Sequence, residues 1–178
     1  MAGRLYGQAS ALPISLLRKW YLKNASIFRI AQSTDGVLAG YISALPLAAN
    51  RFEKTIKPDF QETSIQAEDI ESILRPENGG VFVSSIVVAP EYQLQSPASL
   101  LLRMALVEDL IAASHRKGIR ISAQAISRKG QGCMESLGMK IHDVTTTGWK
   151  IYYGELSTVD LRGIQEKLNQ KLITRFGI

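Results

Sequence analysis

The chain has 178 residues, of which 46% are hydrophobic and 21% charged; these are values of a globular domain and exclude a disordered protein. Its 21 basic and 16 acidic residues give a net charge of +5, but no run of Lys and Arg exceeds two residues. We therefore expect a solvated basic surface rather than a nucleic-acid interface. One cysteine excludes an intramolecular disulfide, and with two histidines it argues against a metal site. Because no signal-like or bilayer-spanning segment is present, we expect a single cytoplasmic domain over 1–178 with no membrane contact.

The first part of the chain predicts a helix followed by a hairpin. Apolar residues at helical spacing predict a helix over 13–23, with Trp20 in the core. Two β-rich runs follow, 27–32 and 37–44. The Asp35-Gly36 pair between them is typical of a hairpin turn.

Residues 50–80 form a polar excursion. The segment has weak helical patterns near 50–60 and 67–74. It holds seven acidic residues: Glu53, Asp59, Glu62, Glu68, Asp69, Glu71 and Glu77. We interpret the excursion as a solvated segment, and the alternative is that its carboxylates attract a cationic amine.

The second part of the chain alternates strands and helices. A continuous apolar run predicts a buried strand over 81–88, and Gly118 marks the end of a long helix over 97–117. A strand, a short helix, a strand and a terminal helix follow over 119–127, 129–137, 149–156 and 157–176. This order predicts an α/β fold with a mixed central sheet and flanking helices.

The C-terminal helical extension, 157–178, needs a partner surface. It opens on a capping-box pattern, Ser157 to Asp160, and its apolar face is formed by Val159, Ile164, Leu168 and Leu172. That face covers either the domain's own sheet or a second subunit, which would make a homodimer.

The stretch that indicates chemistry is VVAPEYQLQSPASLLLRMAL, residues 87–106. A buried strand here runs through a short polar loop into the start of a helix. Such a junction collects unpaired backbone N–H groups and the positive end of the helix dipole, so it favours phosphate. Many α/β proteins have a similar junction without a ligand.

In this stretch the sequence resembles the GNAT family of acyl-CoA-dependent N-acyltransferases. Val88 to Ser99 follow that family's pattern of V-x-P and then Q/R-x-x-G-x-G/A, with Gln93 and Ala98 at the matching positions. Downstream, Met134-Glu135-Ser136-Leu137-Gly138-Met139 is similar to the family's Y-E-K-L-G-F helix ending. Residues 81–156 match best, and the resemblance implies a GNAT fold in which a central pair of strands splays apart.

The resemblance also implies a cofactor site. The pantetheine arm of acetyl-CoA, or of another acyl-CoA, would lie along Ile86, Val87 and Val88. Gln93 would stand at the family's Q/R position. The pyrophosphate would bind backbone N–H groups among Leu94, Gln95, Ser96, Ala98 and Ser99.

Three departures from the family pattern concern cofactor binding and catalysis. Ser96 replaces the first glycine of the phosphate loop, and its neighbour Pro97 has no N–H to donate, although proline also suits the first position of a helix. Met134 occupies the position of the family's general-acid tyrosine and cannot donate a proton. The central strand carries no carboxylate, so the remaining catalytic candidates are Ser84, Ser85 and Cys133.

We therefore expect an acyl-CoA-dependent N-acyltransferase that acts on an amine of a small molecule or a protein. The alternative is a degenerate GNAT-fold module that binds CoA or a partner protein without catalysis. Release of free thiol with a panel of amines separates the two.

Overall fold

The computed structural model describes residues 12–71, 79–93, 96–114 and 118–178. Its elements confirm the predicted α/β order. They are α1 (Ile14–Lys23), β1 (Phe28–Gln32), β2 (Leu38–Leu47), α2 (Ala49–Thr55), β3 (Gly80–Val88), α3 (Ala98–Ala113), β4 (Ile119–Ala125), α4 (Arg128–Ser136), β5 (Lys140–Val144), β6 (Lys150–Leu156) and α5 (Thr158–Phe176). Strand β5 was not predicted. All five of its residues are exposed, and apolar and polar residues do not alternate along it, so the sequence carries no strand pattern there.

The strands form one mixed sheet in the order β1-β2-β3-β4-β6-β5. Strands β3 and β4 are the parallel pair, and they pair only from Val81 with Ile121 to Val83 with Ala123. Beyond that point β3 stays paired with β2, but with a bulge: Val83 lies opposite Ala44 and Ser85 opposite Ser43, which leaves Ser84 as the extra residue. A bulge bends its strand and increases the local twist, so β3 turns away from β4 at Ser84.

The polar excursion is anchored to the fold, which corrects our interpretation of it as a solvated segment. Ile65 and Ile70 are buried in one core cluster with Trp20, the core residue predicted in α1. The Trp20 indole N–H donates to the Ile65 carbonyl at 3.2 Å. The Asn24 amide donates to the carbonyl of Glu71 at 2.8 Å. Glu77 and the end of the predicted 67–74 helix lie outside the described residues.

The terminal helix α5 completes the domain's own core. Leu161, Ile164, Leu168 and Leu172 are buried, and they belong to the core cluster that also contains residues of α3. The predicted capping box is present, because the Ser157 side chain accepts from the Asp160 N–H while the Asp160 carboxylate accepts from the Ser157 N–H. The prediction that Val159 belongs to the apolar face is wrong, because its side chain is 79% exposed. Leu161 is buried on that face instead.

None of the helices in the described ranges combines the length and the apolar character needed to cross a bilayer.

Truncating a buried residue of α5 should therefore destabilise the domain itself. Leu168→Ala removes a side chain that is 2% exposed, and we expect a loss of about 2–5 kcal/mol in the free energy of unfolding. Val159→Ala on the same helix is the matched control and should change that energy by less than about 0.5 kcal/mol. Urea denaturation of both variants measures the difference. Equal effects would contradict the assignment of this face to the core.

Candidate active site

A cleft opens between β3 and β4 where their pairing stops. Residues 82–86 of β3 line one wall, and residues 123–127, on and just after β4, line the other. Tyr41 and Ser43 of β2, Leu17 of α1 and Glu62 of the excursion also line it, together with Gly130, Met134 and Trp149. The predicted splayed strand pair is thus present, with the bulge at Ser84 at its fork.

The predicted pantetheine-binding residues lie on the part of β3 beyond the fork. Ile86, Val87 and Val88 are opposite Ile42, Tyr41 and Gly40 of β2. Ile86 lines the cleft, whereas the side chains of Val87 and Val88 are buried in the protein.

The hydroxyl of Ser96 makes two hydrogen bonds to backbone groups between β3 and α3. That hydroxyl donates to the carbonyl of Tyr92 at 2.7 Å and accepts from the backbone N–H of Ala98 at 3.3 Å. Pro97 directly precedes α3, and its carbonyl accepts the first helical hydrogen bonds, at 2.9 Å from the N–H groups of Leu100 and Leu101. Pro97 therefore starts the helix, where its missing N–H costs little. Ser99 lies in the first turn of α3, and the predicted phosphate ligands Leu94 and Gln95 lie outside the described residues.

Gln93 links this loop to strand β3 and to helix α4. Its side-chain amide donates to the Val88 carbonyl at 3.0 Å, and its side-chain carbonyl accepts from the Lys129 ammonium at 2.7 Å. Lys129 lies in the first turn of α4, so its ammonium reaches the loop that precedes α3. Sequence reasoning missed Lys129, because its contact with Gln93 joins positions 36 residues apart.

Three polar atoms are buried at the fork, where the Ser84 hydroxyl interacts with the Glu62 carboxyl and the Gln124 amide has no hydrogen-bond partner in the described part of the chain. They are Oε1 of Glu62, Oγ of Ser84 and Nε2 of Gln124. Ser84 and Gln124 directly follow the last β3–β4 pair, Val83 with Ala123. Leaving a buried polar group unsatisfied costs about 1–3 kcal/mol, so the Gln124 amide beside Glu62 and Ser84 indicates a place where a ligand can bind.

Burial changes the acidity of this group of side chains. It raises the pKa of Glu62 to about 7, although the nearby hydroxyl of Ser84 offsets part of the rise. It also raises the pKa of Tyr41, an effect reduced by Ser85 and increased by the negative charge of Glu62. A carboxyl with a pKa near neutrality in a cleft is a candidate for general acid–base work.

The candidates Ser84 and Ser85 both line the cleft, whereas Cys133 does not. Cys133 is half-buried in α4 and packs against the core. Among the described residues, no three His, Cys, Asp or Glu side chains come together as a metal site would require.

The fold is similar to solved acetyltransferase structures. Naa20 from Chaetomium thermophilum, solved with a bisubstrate analogue, is 15% identical in sequence and aligns over 85% of this chain and 77% of its own, with a TM-score of 0.54. The chain has the GNAT acetyltransferase fold. No protein-family model matches the sequence, and no curated protein shows significant sequence similarity to it.

Two further GNAT structures give lower scores. The histone acetyltransferase HPA2 and related acetyltransferase from Corynebacterium glutamicum is 12% identical and aligns over 85% of this chain and 76% of its own, with a TM-score of 0.45. A mutant of KacT is 16% identical and aligns over 87% and 79%, with a TM-score of 0.46.

Met134, which the sequence resemblance assigns to the position of the GNAT tyrosine, is 4% exposed and lines the cleft. A thioether there adds apolar surface and no proton donor. The departure anticipated from the sequence thus lies in the cleft itself.

The burial of Glu62 predicts a stability effect that depends on pH. A carboxyl whose pKa is raised on folding contributes stability that is present below its unfolded value, 4.5, and is lost as the pH rises through about 7. Glu62→Gln cannot ionise, so its stability relative to the wild type should increase by about 2–3 kcal/mol between pH 5 and pH 8. Urea unfolding at both pH values measures this, with Glu68→Gln on the exposed neighbouring turn as control. A Glu62→Gln effect that is the same at both pH values would show that the carboxyl is not buried in solution.

Proposed function

We propose that the chain is an acyl-CoA-dependent N-acyltransferase, with acetyl-CoA as the expected donor and an amine as the acceptor. The observation that carries this proposal is the cleft at the β3–β4 fork, which buries polar atoms of Glu62, Ser84 and Gln124 and leaves the Gln124 amide without a partner among the described residues. The loop that joins β3 to the start of α3 follows the same strand. One strand therefore leads from a polar cleft to a site suited to phosphate.

The residues at the fork fit an acyl-CoA. Bound acyl-CoA would supply an activated acyl carbon and a thiolate leaving group. The Ser84 hydroxyl and the unpartnered Gln124 amide are hydrogen-bond donors suited to carbonyl oxygens of such a ligand. Phe82, Met134 and Trp149 add apolar surface to the same cleft, and that surface limits the access of water.

Lys129 compensates for a weakened phosphate loop. The N–H of Ala98, one of the expected donors, already donates to the Ser96 hydroxyl, and its neighbour Pro97 has no N–H to add. The Lys129 ammonium already contacts Gln93 in this loop, and it can bind a phosphate oxygen there.

Calorimetry with acetyl-CoA tests the cofactor site. Lys129→Ala should weaken acetyl-CoA binding about three- to tenfold, because an exposed ammonium is partly screened by solvent. It should leave the KM for S-acetylpantetheine, which has no phosphate, unchanged. Lys167→Ala, on the exposed side of α5, is the matched control and should have no effect. If wild-type protein does not bind acetyl-CoA, the proposed cofactor site is wrong.

A non-catalytic CoA-binding module is the second candidate, and Met134 in place of the tyrosine favours it. Release of free CoA from acetyl-CoA in the presence of primary amines separates the two. Amine-dependent release supports the transferase, and binding without release supports the module. A cytoplasmic location and a homodimer stay predictions.

A further inference from the structure

Strand β3 carries no carboxylate, but Glu62 of the excursion lines the cleft. Glu62 lies in a short turn, Glu62–Ser64, between the flanking apolar residues Phe60 and Ile65. The ring of Phe60 packs edge-on against Phe82 at 5.5 Å, and Ile65 is buried with Trp20. These two contacts fix both ends of the turn, so the position of Glu62 in the cleft is set by packing.

We propose that Glu62 is the proton acceptor of the reaction and that the acceptor substrate enters the fork as a primary ammonium ion. The inference rests on the proposed acyl transfer and names both a catalytic residue and the chemical class of its substrate. It stands on geometry: Glu62 lines the cleft with a buried carboxyl oxygen, and the side chains of Ser84 and Gln124 line the same cleft.

Among the described residues, the surroundings of Glu62 contain no cation that pairs with its carboxylate. Of the elements that line the cleft, β2 presents Tyr41, whereas β3 and β4 present the neutral Ser84, Ser85 and Gln124, and α1 presents Leu17. The nearby Arg51 of α2 pairs with Asp69 at 3.0 Å and donates to Ser64 at 3.2 Å. Within the described ranges no cation pairs with Glu62, so an entering ammonium would supply the missing charge.

The environment also makes Glu62 a suitable base at neutral pH. Its pKa of about 7 means that about half of it is ionised at neutral pH, yet it holds a proton far better than an ordinary glutamate. An ammonium bound beside it can transfer its proton to the carboxylate, and both groups become neutral in the buried cleft.

In the acyl transfer, Glu62 takes one proton from the ammonium, and the freed nitrogen lone pair forms the bond to the thioester carbon. The carbon–sulfur bond then breaks, and CoA leaves as the thiolate. The second proton, lost from nitrogen as the amide forms, neutralises the thiolate, and Glu62 releases its own proton to solvent.

The pH dependence of kcat/KM tests the assignment, with acetyl-CoA and n-butylamine as probes. In the wild type, kcat/KM per total amine should rise to about pH 7 and then stay level to pH 9, because ionised Glu62 takes the proton from bound ammonium. In Glu62→Gln it should be about 10²- to 10⁴-fold lower at pH 7 and rise throughout, because only free amine then reacts. Glu62→Asp should restore a level region at reduced rate, and Glu68→Gln should behave as wild type.

A second amine separates catalysis from a structural role. O-Methylhydroxylamine is small and neutral at pH 7, so it needs no base before attack, and Glu62→Gln should lower its kcat/KM less than tenfold. Equal losses with both amines would show that Glu62 only shapes the cleft and would overturn the assignment. A wild-type pH profile in Glu62→Gln would do the same.

Failure of the underlying function looks different. Wild-type protein that binds acetyl-CoA but acylates neither amine at any pH would overturn the proposed transferase, and the role of Glu62 with it. Acylation by the wild type that is unaffected by Glu62→Gln overturns the role of Glu62 alone.

Discussion

The early end of the hydrogen-bonded ladder between β3 and β4 is the constraint on which the site depends. Parallel strands that stayed paired beyond Val83 and Ala123 would leave no cleft, and the side chains of Ser84 and Gln124 would not face an open fork. The bulge at Ser84 ends the pairing while β3 stays attached to β2, so the sheet is opened on one side only. The loop proposed to bind phosphate follows the same strand in the chain.

A buried carboxylate opposes folding, and the structure holds it in place through apolar contacts on either side. Phe60 and Ile65 flank Glu62 and pack into the core, while the Trp20 indole satisfies the Ile65 carbonyl. The packing of these neighbours offsets the desolvation free energy of burying the Glu62 carboxyl. Such local destabilisation at a cleft, compensated elsewhere, is typical of functional sites.

The order of helices and strands could be predicted because apolar periodicity is a local property. Strand β3, the capping box of α5 and the hairpin at Asp35-Gly36 all depend on residues close together in the chain. The roles of Glu62 and Lys129 depend on contacts between distant segments, and seven acidic residues made the excursion look solvated. Phe60 and Ile65 on either side of Glu62 were the local signal of its burial. Only the family resemblance, and no residue pattern, indicated the fork.

The excursion holds the carboxyl of Glu62 inside the fork, where burial raises its pKa. An NMR titration of the protein with ¹³C-labelled glutamate carboxyls, compared with Glu62→Gln, measures that pKa directly. We predict one carboxyl resonance, absent from the variant, that titrates with a midpoint near pH 7. A midpoint for Glu62 near the ordinary value of 4.5 would contradict the account, because the carboxyl would then be solvated and unsuited to accept a proton from an ammonium ion at neutral pH.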